Sequence, residues 1–502
     1  MLRSYRARTV YDVEAPYLAR AVPLMERAVA GLVEVMITHG PASGSVSAFA
    51  GRGNNGADTL FAAAALASRR RVVKAVLAFD PQAPDLGVTG EALAAATRAG
   101  VEIVDGGDDA AVAGALKARV WVDGLTGLGV DPPLRGKVGA IVAQLCAVRD
   151  DREDRVVFAV DLPSGIDVDT GRVPTPVLRA DHTVTFGGYK PAQLSPPGAY
   201  ACGQVHLIDI GIGEGFARQS VAINRVEASD IGRWWPVPGV EDHKYTRGVL
   251  GMVTGSNDYP GAALLSAHGA LATGVGMLRY LGDVGEVYRS YPEVVTQPGR
   301  VQAYVVGSGI TGQDSHSAPA LADALDEAMT QSLPVVVDAG GLEWVRPGEI
   351  GGHKTSYRVV LTPHAGELAH ILNRCGHVVT RNEIEDDPLT WLEVAHRVTG
   401  ATVVLKGNIT LIASQDRVFS QADGTPWMAT AGTGDVLAGI MGTMLAGWQA
   451  HPRSAWPSLG HVVAAAVGLH GLAGRRASRG GPISAGQIAN WVPRVIADVL
   501  GR

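Results

Sequence analysis

Hydrophobic and polar positions along this chain follow two alternating periods. Residues 22–37 carry apolar side chains at helical spacing with Glu26, Arg27 and Glu34 between them, which predicts an amphipathic helix. Short apolar runs at 45–50, 72–79, 101–104, 120–123 and 156–161 predict strands. Between them, an Ala-rich stretch through Arg69 and residues 89–99 predict helices. The pattern lapses over 224–242, where Trp234-Trp235-Pro236 and Pro238-Gly239 interrupt any helix. A second alternating set follows, with strands expected at 248–255, 275–281, 303–306, 334–338, 357–362 and 401–405. Its expected helices are 263–272, 318–331, 436–448, 459–473 and 484–499. Strands that alternate with helices imply a parallel sheet covered on both faces. The expectation is therefore α/β architecture in two domains, 1–223 and 224–502.

Polar, glycine-containing loops are expected beyond the carboxyl ends of these strands, where open α/β sheets bind ligands. In the first half they are Gly51-Arg-Gly-Asn-Asn-Gly-Ala-Asp58, the loop from Gly124 to Gly136, and Leu162-Pro-Ser-Gly-Ile-Asp167. Asn54 and Asn55 offer amide donors and carbonyl oxygens, and Asp123, Asp161 and Ser164 offer hard oxygens. Each alone has an ordinary reading as a turn, a helix cap or a loop; three on one sheet edge favour a site. In the second half, Gly432, Thr433 and Gly434 are expected to form a turn that opens an apolar helix. Such a turn aims backbone N–H groups and the helix dipole at one spot, which suits phosphate. Asp435 at the helix mouth is expected to stay ionised and to take a proton from a substrate hydroxyl; the plain alternative is an N-cap. His364 has the plain reading of a turn cap after Pro363, and Lys406 that of a solvated strand end.

Composition narrows the partners. At 502 residues the chain exceeds what one hydrophobic core usually serves. Its net charge of −6, with no basic block, argues against nucleic acid. Cys146, Cys202 and Cys375 match no metal or disulfide spacing, which fits a reducing cytosol. No apolar region follows the basic start Met1-Leu-Arg-Ser-Tyr-Arg, and no run approaches the roughly 18 apolar residues of a membrane span. A soluble, cytoplasmic homo-oligomer is expected.

Gly53-Asn-Asn-Gly-Ala-Asp58, Asp123-Gly-Leu-Thr-Gly127 and Val160-Asp-Leu-Pro-Ser-Gly-Ile-Asp167 resemble the NAD(P)HX epimerase family, over about residues 13–212. The resemblance implies a Rossmann-like three-layer α/β/α domain that interconverts the R and S forms of hydrated NAD(P)H. It implies substrate contacts from Asn54, Asn55, Gly56, Ala57 and Asp58, from Gly127, Leu128, Gly129, Val130, Asp131, Pro132 and Pro133, and from Asp161, which would also be catalytic. It also implies potassium held by Asn55, Asp123 and Ser164; oxygen-only ligands suit such a hard cation. Ala57 departs from the family, which usually has a second Gly there, and would add a β-carbon near the ligand. Thr126-Gly-Leu-Gly129 departs as well.

His243-Lys-Tyr-Thr-Arg-Gly248, Gly255-Ser256, Gly261-Ala262, Leu361-Thr-Pro-His-Ala-Gly-Glu367, Leu405-Lys-Gly407 and Ala431-Gly-Thr-Gly-Asp-Val-Leu-Ala-Gly439 resemble the ADP/ATP-dependent NAD(P)HX dehydratase, a ribokinase-like family. By that resemblance Ala262, Gly309, His364 and Asp435 contact the hydrated nucleotide. Lys406, Gly407, Asn408, Ile409, Thr410 and Gly434 would hold ADP, with Mg²⁺ assisting. Gly340 stands where the family often has a second Asp, and Gly307-Ser-Gly309 replaces Gly-Pro-Gly. The implied activity is bifunctional repair of NADHX and NADPHX, with ADP favoured over ATP. Two rivals are a kinase acting on a small alcohol, and an N-terminal half that only binds.

Overall fold

The computed structural model describes residues 1–69, 71–129, 133–150, 155–174, 176–311, 317–415, 417–451 and 455–502, with residue 150 described in its backbone only. Its internal packing divides the chain between Ala222 and Ile223, with Met1 and Leu2 grouped with the second unit.

In the first unit seven parallel strands lie in the spatial order Glu102–Asp105, Val73–Leu77, Val46–Ala50, Val120–Gly124, Val156–Val160, His182–Phe186, Gln204–Ile208. Side chains of a strand alternate between faces, and here both faces are apolar. Ala48, Val122, Phe158 and Val184 pack on one side with Ala28, Leu32 and Leu60, from helices Leu24–His39 and Asn54–Ala67. Phe49, Trp121, Val157 and Ala159 pack on the other with Val112, Ile141 and Leu145. The expected three-layer α/β/α arrangement is present. The register pairs Ala50 with Gly124 and Asp123 with Ala159, so the carboxyl ends of the central strands reach one edge together.

The second unit has a ten-stranded sheet. Met277–Tyr280, Val249–Val253, Ala303–Val306, Val335–Val337, Val359–Leu361 and Thr402–Leu405 run parallel to their neighbours. Beyond them Thr410–Ser414 and Arg417–Gln421 form an antiparallel hairpin that hydrophobic periodicity did not announce. Leu250, Met252, Val305, Val336, Val360 and Val404 share one core with helices Pro260–Ala272, Thr433–Ala450, Leu459–Ser478 and Ala485–Val499. A β-carbon on Gly439 would strike the Ser266 carbonyl oxygen, and one on Gly269 would strike that of Val436. Glycine at both places lets two helices touch backbone to backbone.

Three expectations need correction. The 224–242 stretch is not without helix: Ala228–Trp234 is helical and ends at Trp235, ahead of Pro236. Asn54 to Asp58 lie in the first turns of helix Asn54–Ala67 rather than on a loop. Helix Thr433–Ala450 starts three residues before the expected 436, so only Gly432, at φ 90°, stands outside it as the cap. A backbone at that φ suits glycine because it lacks a β-carbon. No helix among the described residues is long and apolar enough to cross a membrane.

Candidate active sites

In the first unit, three strand ends meet as expected. Asn55 donates through Nδ2 to the carbonyls of Thr126 (3.0 Å) and Val160 (2.9 Å), leaving its Oδ1 beside Gly127. Asp123 is 1% exposed and accepts bonds from Ser164 Oγ (2.6 Å), Ser164 N (2.8 Å) and Leu125 N (3.2 Å). Ser164 Oγ in turn accepts from Thr126 N. Burial pushes the Asp123 carboxyl up, and the Ser164 bonds oppose that shift. No basic side chain among the described residues pairs with it.

A second cluster lies around Asp161. Its backbone sits at φ 66° and its carboxylate forms an ion pair with Lys190, itself 1% exposed. Thr185 Oγ1 donates to the same carboxylate oxygen at 2.7 Å, and Gln193 Nε2 to the Asp161 carbonyl at 2.7 Å. Asp58 is buried, and its Oδ1 has no hydrogen-bond partner. Burial first, then the charges of Asp161 and Glu14, hold the Asp58 carboxyl well above the usual range. Burial likewise raises Glu14, with Lys190 pulling it back and Asp161 pushing it up. Glu14 and Tyr11 come from helix Ala7–Leu18, and the Tyr11 hydroxyl lies close to the Gly129 backbone.

The other expected contacts fall out unevenly. Ala57 is fully buried in the core, so its methyl cannot tighten a ligand loop; only its backbone faces the turn. Leu128 is half-buried and Pro133 exposed, while Val130, Asp131 and Pro132 lie outside the described residues. Asn54 opens the helix after Gly53, and Gly56 sits one turn in. The sequence reading missed Glu14, Thr185, Lys190 and Gln193. Ala7, Val10 and Val13 at a spacing of three were the available signal for the helix that carries Glu14.

In the second unit, Asp435 stands in the first turn of helix Thr433–Ala450. It does not simply stay ionised: burial first, then the charge of Asp338, push its carboxyl up to about 7 against the pull of Lys406 and a hydrogen bond with Ser308. Asp338, 3% exposed, accepts from Lys406 Nζ (2.8 Å), Thr362 Oγ1 (2.7 Å) and Ser308 Oγ (2.9 Å). Lys406 is thus not a solvated strand end but an ion-pair partner of Asp338, with its side chain still 23% exposed. Burial alone would lower its pKa, but Asp338, Glu367 and Asp435 together raise it. A β-carbon on Gly434 would lie 3.6 Å from its Nζ.

His364 takes its plain role: it caps helix Ala365–Arg374, accepting from Glu367 N at 3.1 Å while its own N–H donates to Glu367 Oε2 at 2.8 Å. Its imidazole is 58% exposed, so capping leaves much of it open to a ligand. A β-carbon on Gly309 would clash with the Ala262 methyl within about 2.5 Å, so these two are in contact. Gly407 and Asn408 are exposed at the hairpin turn, whereas Ile409 and Thr410 are buried, with the Thr410 hydroxyl donating to the Gly407 carbonyl at 3.2 Å. Gly340 leaves no room for a family-like Asp, since any β-carbon there would strike the Ile310 carbonyl oxygen. Ser308, the other departure, supplies the hydroxyl between Asp338 and Asp435. Asp338, Ser308 and Thr362 were not foreseen as site residues.

Comparison with known proteins gives two family matches: residues 250–487 fit the NAD(P)H-hydrate dehydratase family and residues 21–192 fit the YjeF-related protein N-terminus. The chain is 39% identical over 464 residues to a protein of Mycobacterium tuberculosis named bifunctional NAD(P)H-hydrate repair enzyme, covering 89% of each chain. A Mycobacterium leprae protein of the same name is 38% identical, again over 89% of each. One of Corynebacterium glutamicum is 30% identical over 91% of this chain and 90% of that one. Among solved structures, the ADP/ATP-dependent NAD(P)H-hydrate dehydratase of Bacillus subtilis, co-crystallised with ATP/Mg²⁺, is 26% identical, covering 55% of this chain and 99% of that chain at a TM-score of 0.47.

Proposed function

The chain belongs to the family of bifunctional NAD(P)H-hydrate repair enzymes, and from that premise we propose that its two units perform successive steps of one repair. The first unit epimerises R- and S-NAD(P)HX. The second dehydrates S-NAD(P)HX to NAD(P)H, consuming ADP and forming AMP and phosphate. The observation that carries the reading is the carboxyl of Asp435, poised near neutrality in a helix N-terminus beside Lys406.

Hydroxide is a poor leaving group. Asp435 takes the proton of the ring hydroxyl as its oxygen attacks the β-phosphorus of ADP, and the bond to AMP breaks. N–H groups of the first helical turn stabilise charge on the phosphoryl group in transfer. The ring nitrogen then expels phosphate, and loss of a proton from the neighbouring carbon restores the double bond. His364, Ala262 and Gly309 would line the hydrated nicotinamide, and Lys406, Gly407, Asn408, Ile409, Thr410 and Gly434 the adenine nucleotide. Lys406 holds Asp338 and tunes Asp435. Mg²⁺ would travel with the ADP phosphates and offset their charge. The Asp338 oxygens already serve Lys406, Thr362 and Ser308, so that carboxylate offers it little.

In the first unit the hydroxyl sits on a carbon bonded to nitrogen. Inverting it requires breaking a bond at that carbon and reforming it from the other face, with proton transfer both ways. Asp161 with Lys190, and proton-holding Asp58 and Glu14, can supply both directions. Potassium fits Asn55, Asp123 and Ser164, because Asp123 is a buried carboxylate without a cationic partner and Asn55 Oδ1 has no donor among the described residues. There it would offset nucleotide phosphate charge. A cytosolic setting belongs to the same reading.

The test mixes the protein with an R/S hydrate mixture and ADP and follows the reduced-nicotinamide absorbance band. Full recovery is expected with both units intact. A stable phosphoester product in place of NAD(P)H and free phosphate would favour a small-alcohol kinase instead. In potassium-free buffer with a bulky organic cation, R-hydrate conversion is expected to slow; an unchanged rate would remove the potassium site and keep only the nucleotide contacts.

A further inference from the structure

We propose that the first unit carries a second metal site, a three-histidine centre for a divalent first-row transition ion such as Zn²⁺, formed by His39, His182 and His206.

The site follows from topology. His182 opens strand His182–Phe186, and His206 lies in the neighbouring edge strand Gln204–Ile208. The register pairs His182 with Gln204, so His206, two residues on, stands on the same face one diagonal away. Helix Leu24–His39 packs over both strands and ends at His39 on that face. One ring nitrogen from each residue lies within 4.8 Å of the other two. His182 Nδ1 is 3.1 Å from His206 Nε2. Ligands about 2.0–2.1 Å from a tetrahedral zinc stand roughly 3.3 Å apart, so two of the three are already at ligand spacing. The ring of His39, exposed at the helix end, lies with its centroid 5.0 Å from that of His182 and 4.6 Å from that of His206. Phe158 stacks on the His182 ring with centroids 5.1 Å apart and fixes its plane.

The chemistry agrees with a nitrogen-ligated ion. Imidazole suits zinc, copper and nickel, and only neutral imidazole ligates. Burial first, then the neighbouring imidazoles, lower the pKa of both His182 and His206, with Asp181 opposing this at His182. That carboxylate is already held by two bonds from Arg149 at 2.8 and 2.9 Å, so it is not a fourth ligand. The fourth position would take water. Lys190 and Asp161 lie beyond the carboxyl ends of strands His182–Phe186 and Val156–Val160, whereas His182 begins its own, so this centre is separate from the substrate site. Bound metal would tie the helix end to the sheet-edge strand pair.

The experiment uses untagged full-length protein, stripped with chelator and held at constant potassium. One equivalent of Co²⁺ is expected to bind and give the visible bands of a four-coordinate ion, and Zn²⁺ to displace it. His39→Ala, at an exposed position, is expected to weaken Zn²⁺ binding more than about tenfold and to abolish the rise in unfolding temperature that Zn²⁺ gives the wild type. His206→Gln, checked for folding by circular dichroism, should do the same. Absence of stoichiometric Co²⁺ binding in the wild type would overturn the proposal and leave a hydrogen-bonded histidine pair. Unchanged affinity in both variants would overturn it equally.

Discussion

Each unit places a lysine paired with a buried aspartate beside a further aspartate in the early turns of a helix that follows a positive-φ glycine. In the first the pair is Lys190–Asp161 and the further residue is Asp58; in the second they are Lys406–Asp338 and Asp435. The parts match, but the electrostatics do not. Asp58 feels burial and two other carboxylates, so its proton is held tightly. Asp435 feels burial and Asp338, yet Lys406 and Ser308 pull it back to about 7. Glycine-then-aspartate therefore does not define a role. What decides is how much of the lysine's charge reaches the second carboxyl, and the units differ there: one is built to hold protons, the other to exchange one near neutral pH.

The largest test of that contrast removes the exchanging group. Asp435→Asn is expected to lower dehydration about 10²–10⁴-fold while sparing ADP binding measured by calorimetry. In the wild type, kcat/KM for dehydration should fall about tenfold per pH unit below about 7, as protonation removes the base. Near-normal turnover of the variant at saturating ADP would take the base role from Asp435.

Removing the lysine of the other unit comes next. Lys190 is almost fully buried, and its charge pulls the raised carboxyl of Glu14 back down. Lys190→Met would leave Asp161 a buried charge without its partner, at a cost of about 3–5 kcal/mol. Loss of R-hydrate conversion with an earlier unfolding transition is expected, and unchanged stability would show that the Lys190–Asp161 pair does not hold the fold.

How much of this was readable beforehand depends on the range over which each contact is written. Central strands such as Val156–Val160 announced themselves because burial on both faces demands continuous apolar runs. Strand Gln204–Ile208 did not, since an edge strand needs no such run and this one is only half covered. Helix Ala7–Leu18 was hidden by Pro16 and by having only three inward residues. Asn55, Asp123 and Ser164 were readable because each lies at, or a few residues beyond, the carboxyl end of a predicted strand. Lys190 and Asp338 were not: a lone Lys is seldom buried, and their partners lie 29 and 68 residues away. Motif resemblance reached Lys406 but not its ion pair with Asp338, because a motif records which residue is present and not which carboxylate it faces.

A milder change tests the proton-holding side. Because folding raises the pKa of Asp58, the native state binds its proton more tightly than the unfolded chain. Its stabilising contribution is then present in acid and is lost as pH rises from the ordinary carboxylate range through the raised native value. Asp58→Asn removes that loss. The variant should match the wild type in acid and unfold at higher temperature than it in alkali. It should also keep part of its epimerase activity, since the amide still donates a hydrogen bond. A variant that destabilises equally at all pH values would show that Asp58 is ionised in the native protein.

The smallest expected effect belongs to Ser308, the residue that departs from the family pattern. Its single hydroxyl proton is donated to Asp338 at 2.9 Å, and turned to Asp435 instead it lowers the pKa of that carboxyl. Ser308→Ala removes this donor from both carboxyls without adding bulk. A hydrogen bond of this kind contributes about 0.5–1.5 kcal/mol, and one pKa unit corresponds to about 1.4 kcal/mol. The acid limb of the dehydration profile should thus move up by about a unit or less, away from 7. Above that limb the rate should hardly change, because Lys406 still neutralises Asp338 and Asp435 still ionises there. A lysine-dominated site would show no shift, and Ser308 would then serve only to fix Asp338. A fall in the alkaline plateau would show instead that Ser308 touches the substrate. Either result would redraw the contrast between the units: the first would leave it resting on the lysine charge alone, and the second would add a polar contact that the first unit does not share.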